Sequence, residues 1–244
     1  CHGLMNSPFR TALLAYLQGG GAEDFQNAME TIRENYPPAA FYSAMNFLGT
    51  HDTPRILTVL GADHVPETRE ARAAFRLSPD QRAKGVALVR LAALILFTFP
   101  GSPTIFYGDE AGMEGFEDPF NRGTYPWGHE DRELLGHFAR LGTLRRSRSA
   151  LQKGTLSWIA ANGPLLAFAR EGADGRLVTV VNADRAEQRL SLPWSGQQIY
   201  NAELCRPHII PDFLGCDCLG ELDLIGGIGT VAALEDLIEQ PGAH

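Results

Sequence analysis

The sequence predicts an α/β half followed by an all-β half, and three observations carry that expectation. Up to about residue 148, helix-period apolar stretches alternate with two strand-length apolar runs, which is the rhythm of a parallel sheet. From Leu151 onward the period drops to two, in seven short runs separated by turn residues, as in an antiparallel sandwich. Both apolar runs of the first half lead directly into charged residues, at the strand ends where α/β proteins keep their chemistry. The expected division is therefore 1–148 and 149–244.

Along the chain, Ser7-Pro8 reads as an N-cap with a proline at the first helical position, and Leu13, Leu14 and Leu17 form a stripe that stops at Gly19. Phe25, Met29 and Ile32 repeat at helical spacing until Tyr36-Pro37. The first apolar run, 44–49, enters His51-Asp52, and Thr53-Pro54 reads as the start of the next helix. Ser78-Pro79-Asp80-Gln81 predicts a capping box opening a helix that reaches Phe97. The second run, 103–108, enters Asp109-Glu110. A last helix over 130–146 turns Leu134, Leu135, Phe138 and Leu141 inward. Strands follow at 155–160, 165–170, 176–182, 188–192, 197–203, 221–224 and 230–234, with turns at Ala173-Asp174-Gly175 and Ser195-Gly196.

The 244 residues are 44% hydrophobic and 20% charged, the profile of a soluble globular chain. A net charge of −8, from 21 basic and 29 acidic side chains, argues against nucleic acid and against an anionic membrane surface as partners. The longest apolar stretch, 91–99, is about half a membrane span and stops at Pro100. The chain opens on Cys1, so a leader is unreadable. Four cysteines are too few for a disulfide framework. Cys205, His208, Cys216 and Cys218 offer three thiols and an imidazole, a donor set compatible with zinc. Their C-x2-H-x7-C-x-C spacing is not a common zinc pattern, and free thiols in a solvated insertion are the favoured reading. No metal and no cofactor are expected.

Phe47-Leu48-Gly49-Thr50-His51-Asp52 resembles the segment that ends the seventh barrel strand in the α-amylase family. The segment 101–113, GSPTIFYGDEAGM, resembles that family's eighth strand and its exit, and Met5-Asn6-Ser7-Pro8-Phe9 resembles the segment after the sixth. Thr50, in place of the more usual Asn, and Asp118-Pro119-Phe120-Asn121-Arg122 followed by Tyr125-Pro126-Trp127 are similar to the cyclomaltodextrinase, neopullulanase and amylopullulanase group. The resemblance implies the C-terminal part of a (β/α)8 barrel, from the end of strand six to strand eight, followed by the family's C-terminal β domain. About 148 residues fall short of the about 250 that a whole barrel takes.

That resemblance implies a retaining α-glucan hydrolase acting on α-1,4 or α-1,6 glucosidic bonds. Its Asp nucleophile and Glu acid/base would follow strands four and five, outside this chain, leaving the chain inactive alone. Asp52 would be the third acid, holding the 2- and 3-hydroxyls of the sugar at the cleavage site as its ring flattens. His51 would donate to the same hydroxyls, and Asp118 with Arg122 would hold the next sugar. Arg55 is expected to pair with a neighbouring acid, and Asp109 and Glu110 to support the barrel mouth. Phe116, Tyr125 and Trp127 either line a glucan cleft or hold their loop onto the barrel. A glucanotransferase of the same family is the alternative enzyme, and a glycan- or partner-binding half barrel the non-catalytic one. The partner is thus an α-glucan, with a homodimer of the longer enzyme as a further possibility and the cytoplasm as the compartment the subgroup suggests.

Overall fold

The computed structural model describes residues 4–184, 186, 188–191, 198–201, 221–224 and 229–235. It begins with three helices, α1 (Ser7–Leu17), α2 (Ala22–Asn35) and α3 (Pro38–Ser43), and the strand β1 (Met45–Phe47). Helices α4 (Ile56–Gly61), α5 (Arg69–Ala74) and α6 (Pro79–Thr98) lead to β2 (Ser102–Thr104). A 3₁₀ turn (Phe120–Arg122) precedes α7 (Arg132–Ser147) and α8 (Ser149–Lys153). Among the described residues, seven strands follow: β3 (Thr155–Asn162), β4 (Leu165–Gly172), β5 (Gly175–Asn182), β6 (Gln188–Ser191), β7 (Gln198–Asn201), β8 (Glu221–Leu224) and β9 (Gly229–Glu235).

The first half is helices around a small parallel sheet. β1 and β2 pair in parallel, Met45 opposite Ser102 and Phe47 opposite Thr104, and Met5 bridges Met45 in the same sense. Parallel neighbours need long crossovers, which α1–α3 and α4–α6 supply. A buried amide ladder fixes the three segments: Asn6 Nδ2 donates to Asn46 Oδ1 (2.9 Å), and Asn46 Nδ2 donates to Pro100 O (2.7 Å). Both asparagines are buried, so each bond also spares a polar group from desolvation without a partner.

Several helix signals act as expected. Ser78 Oγ accepts from Gln81 N, and the Gln81 side chain accepts from Ser78 N, which completes the capping box of α6. Ser78→Ala removes one side of that exchange; thermal unfolding should show a loss of about 1 kcal/mol. The cap of α1 is Asn6, whose Oδ1 accepts from Phe9 N (3.1 Å), so Ser7 lies inside the helix and Pro8 in its first turn. Thr53-Pro54 does not open α4 either. The Thr53 hydroxyl is engaged by Thr50 N (2.9 Å), and the helix starts at Ile56. In α7 the inward face is Leu134, His137, Phe138 and Leu141; Leu135 is half-buried, and His137 Nε2 bonds Arg90 O.

All seven strands of the second half form within two residues of their expected bounds. Five make an antiparallel sheet in the order β3-β4-β5-β9-β7, while β6 and β8 pair separately. One face of β4 and β5 (Leu166, Phe168, Leu177 and Val181) joins the barrel helices in a single core. Phe99, just beyond α6, is the aromatic hub of that core, with ring centroids 5.5–6.3 Å from Phe9, Phe25, Phe41, Trp158 and Phe168. The last carbonyls of α6 would otherwise be orphaned. Arg145 donates to Phe97 O (2.7 Å) and Phe99 O (3.2 Å), and Arg170, itself buried, donates to Thr98 O (2.8 Å) and Gly154 O (3.0 Å). Burial lowers both guanidinium pKa values to about 10. Among the described residues no helix is long and apolar enough to cross a membrane.

Candidate functional site

The two parallel strands end early, and what stops them builds the site. β1 leaves the ladder after Phe47, and Leu48–Asp52 project from its carboxyl end. β2 stops at Thr104, four residues short of the apolar run. There Phe106 and Tyr107 turn their rings under the Arg55 guanidinium, with centroids 4.3 and 4.6 Å away. Gly108, at φ 87°, makes the reversal, since that conformation is costly for a residue with a Cβ.

Arg55 and Asp109 form a buried pair, Nη1 to Oδ1 at 3.3 Å, as expected for Arg55, and Arg55 also donates to Tyr107 O. Burial pushes the Asp109 carboxyl up to about 7, against the pull of Arg55 and Arg10 and with help from Glu110. The carboxylate lies against Gly49, where a Cβ would come within 2.5 Å of Oδ2. Arg10 Nε donates to Leu48 O (2.6 Å) on the same loop. The exits of both strands are thus fixed to each other directly beneath His51-Asp52.

Above that base, Asp52 N donates to Thr50 Oγ1 (3.2 Å) and Thr53 N to Thr50 O (3.2 Å), folding the loop on itself. Asn121, fully buried in the 3₁₀ turn, donates through Nδ2 to His51 O and Thr53 O, both at 2.8 Å. Its neighbour Arg122 donates from Nε to His51 O (3.0 Å). The same Nε lies 3.0 Å from Asp118 Oδ1, and Nη2 lies 3.5 Å from Asp52 Oδ1. His51 Nε2 stands 3.2 Å from Asp52 Oδ2.

The four residues singled out from the sequence, His51, Asp52, Asp118 and Arg122, therefore meet in one cluster, although some seventy residues separate the two pairs. His51, Asp52 and Asp118 are largely open to solvent, Asp52 at 73%, and Arg122 is partly so. Such a group presents two carboxylates, an imidazole and a fork of guanidinium donors to one small region, a set suited to bracketing adjacent hydroxyls. Asn121 was not anticipated; an amide between charged residues in a short turn carries no periodic signal, and only its place inside the 118–122 segment marks it.

The loop aromatics divide. Phe116 is buried edge-on against Phe75, with centroids 5.1 Å apart, so it fastens the loop and lines no cleft. Tyr125 and Trp127 lie 4.5 Å apart, and Trp127 is 80% exposed. Glu110 accepts from Gly108 N (2.9 Å) and so braces the turn at the barrel mouth. Cys205, His208, Cys216 and Cys218 lie outside the described residues. Among the described residues, no three or more His, Cys, Asp or Glu side chains are grouped as metal ligands would be.

Comparison with known proteins adds to this geometry. Residues 5–197 match the family description "Alpha amylase, catalytic domain". An amylopullulanase from Thermoanaerobacter thermohydrosulfuricus is 37% identical over 185 residues, covering 71% of this chain and 12% of that protein. A cyclomaltodextrinase from Geobacillus thermopakistaniensis is 31% identical over 194 residues, 78% of this chain and 29% of its own length. In structure, an Anoxybacillus α-amylase superposes with a TM-score of 0.75 at 20% identity, over 95% of this chain and 47% of that one. The chain thus spans less than half the length of each of these proteins.

Proposed function

The chain belongs to the α-amylase family, and from that premise we propose that it is the C-terminal portion of a retaining α-glucan hydrolase. Its substrates would carry α-1,4 or α-1,6 glucosidic bonds, as maltooligosaccharides, cyclodextrins and pullulan do. Asp52 is the transition-state stabiliser in this reading, and His51, Asp118 and Arg122 bind the sugars. The observation that carries it is the meeting of those four side chains at the carboxyl ends of two parallel strands.

Retaining hydrolysis needs two carboxyl groups about 5 Å apart across the scissile bond, one attacking and one giving and taking the proton. The family places these after strands four and five, and no acid of the described site stands in for them. Glu110, the nearest candidate by sequence, is turned back onto Gly108 N. What this chain contributes is electrostatic. The Asp52 carboxylate accepts from sugar hydroxyls whose acidity rises as the ring takes on oxocarbenium character, so its bonds tighten in the transition state. His51 donates alongside it. Arg122, already bonded to His51 O and Asp118, holds the adjacent sugar with no reorganisation of its own.

We further infer a boundary at 148/149 and a C-terminal β-sandwich. The support is a second small core on the other face of β4 and β5, where Leu190 of β6 joins Leu165, Ala167, Ala169, Val178 and Val180.

The test is reducing-end release from maltoheptaose and pullulan, by the chain alone and by a fusion carrying barrel strands one to six of an amylopullulanase relative. The chain alone should stay at the blank. The fusion should cleave, and Asp52→Asn should lower its kcat by about 10²–10³-fold with a smaller change in KM. Cleavage by the isolated chain, or a fusion indifferent to Asp52, overturns the reading. Should the fusion fail to fold, maltotriose-dependent shifts of the 50–53 amides in the isolated chain decide it.

A further inference from the structure

We propose that Asn121 is a positioning residue for Asp52, its amide bridging the carbonyls of the two residues that flank the acid and so aiming the carboxylate. The inference rests on the reading of Asp52 as the transition-state stabiliser and names what holds that acid in place. The Asp52 side chain is open to solvent, and its contacts are long: 3.2 Å to His51 Nε2 and 3.5 Å to Arg122 Nη2. Exposed ion pairs of that kind hold a side chain only weakly. The direction in which the carboxylate leaves the chain is therefore set by its backbone.

That backbone hangs from one amide. Asn121 Nδ2 carries two protons, and each meets a carbonyl, His51 O and Thr53 O, both at 2.8 Å. Thr50 Oγ1 closes the span from the other side, accepting from Asp52 N (3.2 Å). The turn that carries Asn121 is itself fixed. Arg122 N donates to Pro119 O (3.1 Å), and Phe120 N donates to Glu117 O (3.0 Å). Phe120 O lies so close to Gly115 that a Cβ there would collide with it, and Gly115 O accepts from Arg55 N (2.9 Å). The place of Asp52 is thus referred, through Asn121, to the residue that precedes α4.

Two features separate this role from packing alone. Asn121 is fully buried, and its Oδ1 has no hydrogen-bond partner among the described residues. A buried amide with one end unmet costs stability, and a side chain present only to fill space would not carry that cost. Flipping the amide gives no relief, since Oδ1 would then face two carbonyl oxygens. The second feature is where the bonds end. Both fall on the 51–53 segment, and Arg122 Nε shares His51 O with Asn121 (3.0 Å). Adjacent residues of one short turn therefore set the acid and the guanidinium relative to each other, as a preorganised site requires.

The experiment is a double-mutant cycle on maltoheptaose cleavage by the fusion, with Asn121→Ala, Asp52→Asn and the two combined. Asn121→Ala should lower kcat about 10–10²-fold with a smaller change in KM. In the Asp52→Asn background the same change should cost less than about twofold, because no carboxylate is left to aim. A merely structural residue would cost as much in both backgrounds, so an additive cycle overturns the proposal, as does an Asn121→Ala fusion with full kcat. A fusion indifferent to Asp52→Asn removes the glucan reading and this inference with it, whereas an additive cycle removes the inference alone. Should the fusion fail to fold, amide hydrogen exchange in the isolated chain decides it. Asn121→Ala should speed exchange at Thr53 about tenfold and leave the 89–96 amides of α6 unchanged; unchanged exchange at Thr53 overturns the proposal. Asn121→Asp, which keeps the shape but turns an acceptor toward the two carbonyls, should act alike. Loss of folding in both variants makes Asn121 a structural residue and also overturns it.

Discussion

Replacing Arg55 with methionine lowers the stability of the chain by about 3–5 kcal/mol at pH 8 and by much less at pH 5. The variant keeps most of the side-chain volume between Phe106 and Tyr107 but leaves Asp109 buried without its cation. At pH 8 that carboxyl must remain charged in an apolar setting or take a proton from a dilute source, and either is costly. At pH 5 it is already neutral. The sign follows from the raised pKa. With Asp109 at about 7 in the folded chain and near 3.8 when unfolded, the folded state binds the proton more tightly. The resulting stabilisation is complete below about pH 4 and is lost as pH rises through 7, with a slope of up to about 1.4 kcal/mol per pH unit. Asp109→Asn should remove that slope. Chemical denaturation of the three proteins from pH 4.5 to 8 checks both statements. An Arg55→Met penalty that does not change with pH, or an Asn variant that keeps the full slope, would exclude the pair as the cause.

Phe99→Ala should cost about 3–5 kcal/mol, seen as a fall in Tm of about 10 °C. The ring touches helices of the partial barrel through Phe9, Phe25 and Phe41, and the sheet through Trp158 and Phe168. Its loss opens a cavity whose walls belong to both halves and cannot collapse on one side alone. Calorimetry should therefore show one transition, displaced as a whole. Two transitions, only one of them shifted, would mean that the halves unfold independently.

The helices and strands were largely legible because their signals are local. A capping box, a stripe at 3.6 spacing or an alternating run is satisfied by its own neighbours, and the Ser78 box and all seven late strands formed where expected. The departures have long-range causes. Ser7 yields the cap to Asn6, whose amide also faces Asn46 across the sheet. β2 ends before the apolar run does, and the two aromatic residues beyond it, Phe106 and Tyr107, serve a guanidinium from another loop. Phe116 is buried by Phe75, forty-one positions away.

The site was legible in its exposed members for a different reason. His51, Asp52, Asp118 and Arg122 stand in short segments that resemble a known family, and the structure brings them together. The support beneath them was less so. Arg55 was expected to find an acid, but neither the role of Asn121 nor the closeness of Gly49 to Asp109 has any expression in the order of residues.

The shared aromatic centre around Phe99 bears on how such chains can be recombined. A crossover between 148 and 149 looks natural on a linear map, since α7 has ended and only the short α8 precedes the strands. In three dimensions it would cut through the interior, separating Phe9, Phe25 and Phe41 from Trp158 and Phe168 and leaving the Arg170 guanidinium without Thr98 O. Exchange between relatives would be tolerated at that seam only if both parents carried matching aromatic contours. The piece that travels intact is the set of helices that meet around Phe99 together with the sheet packed on them.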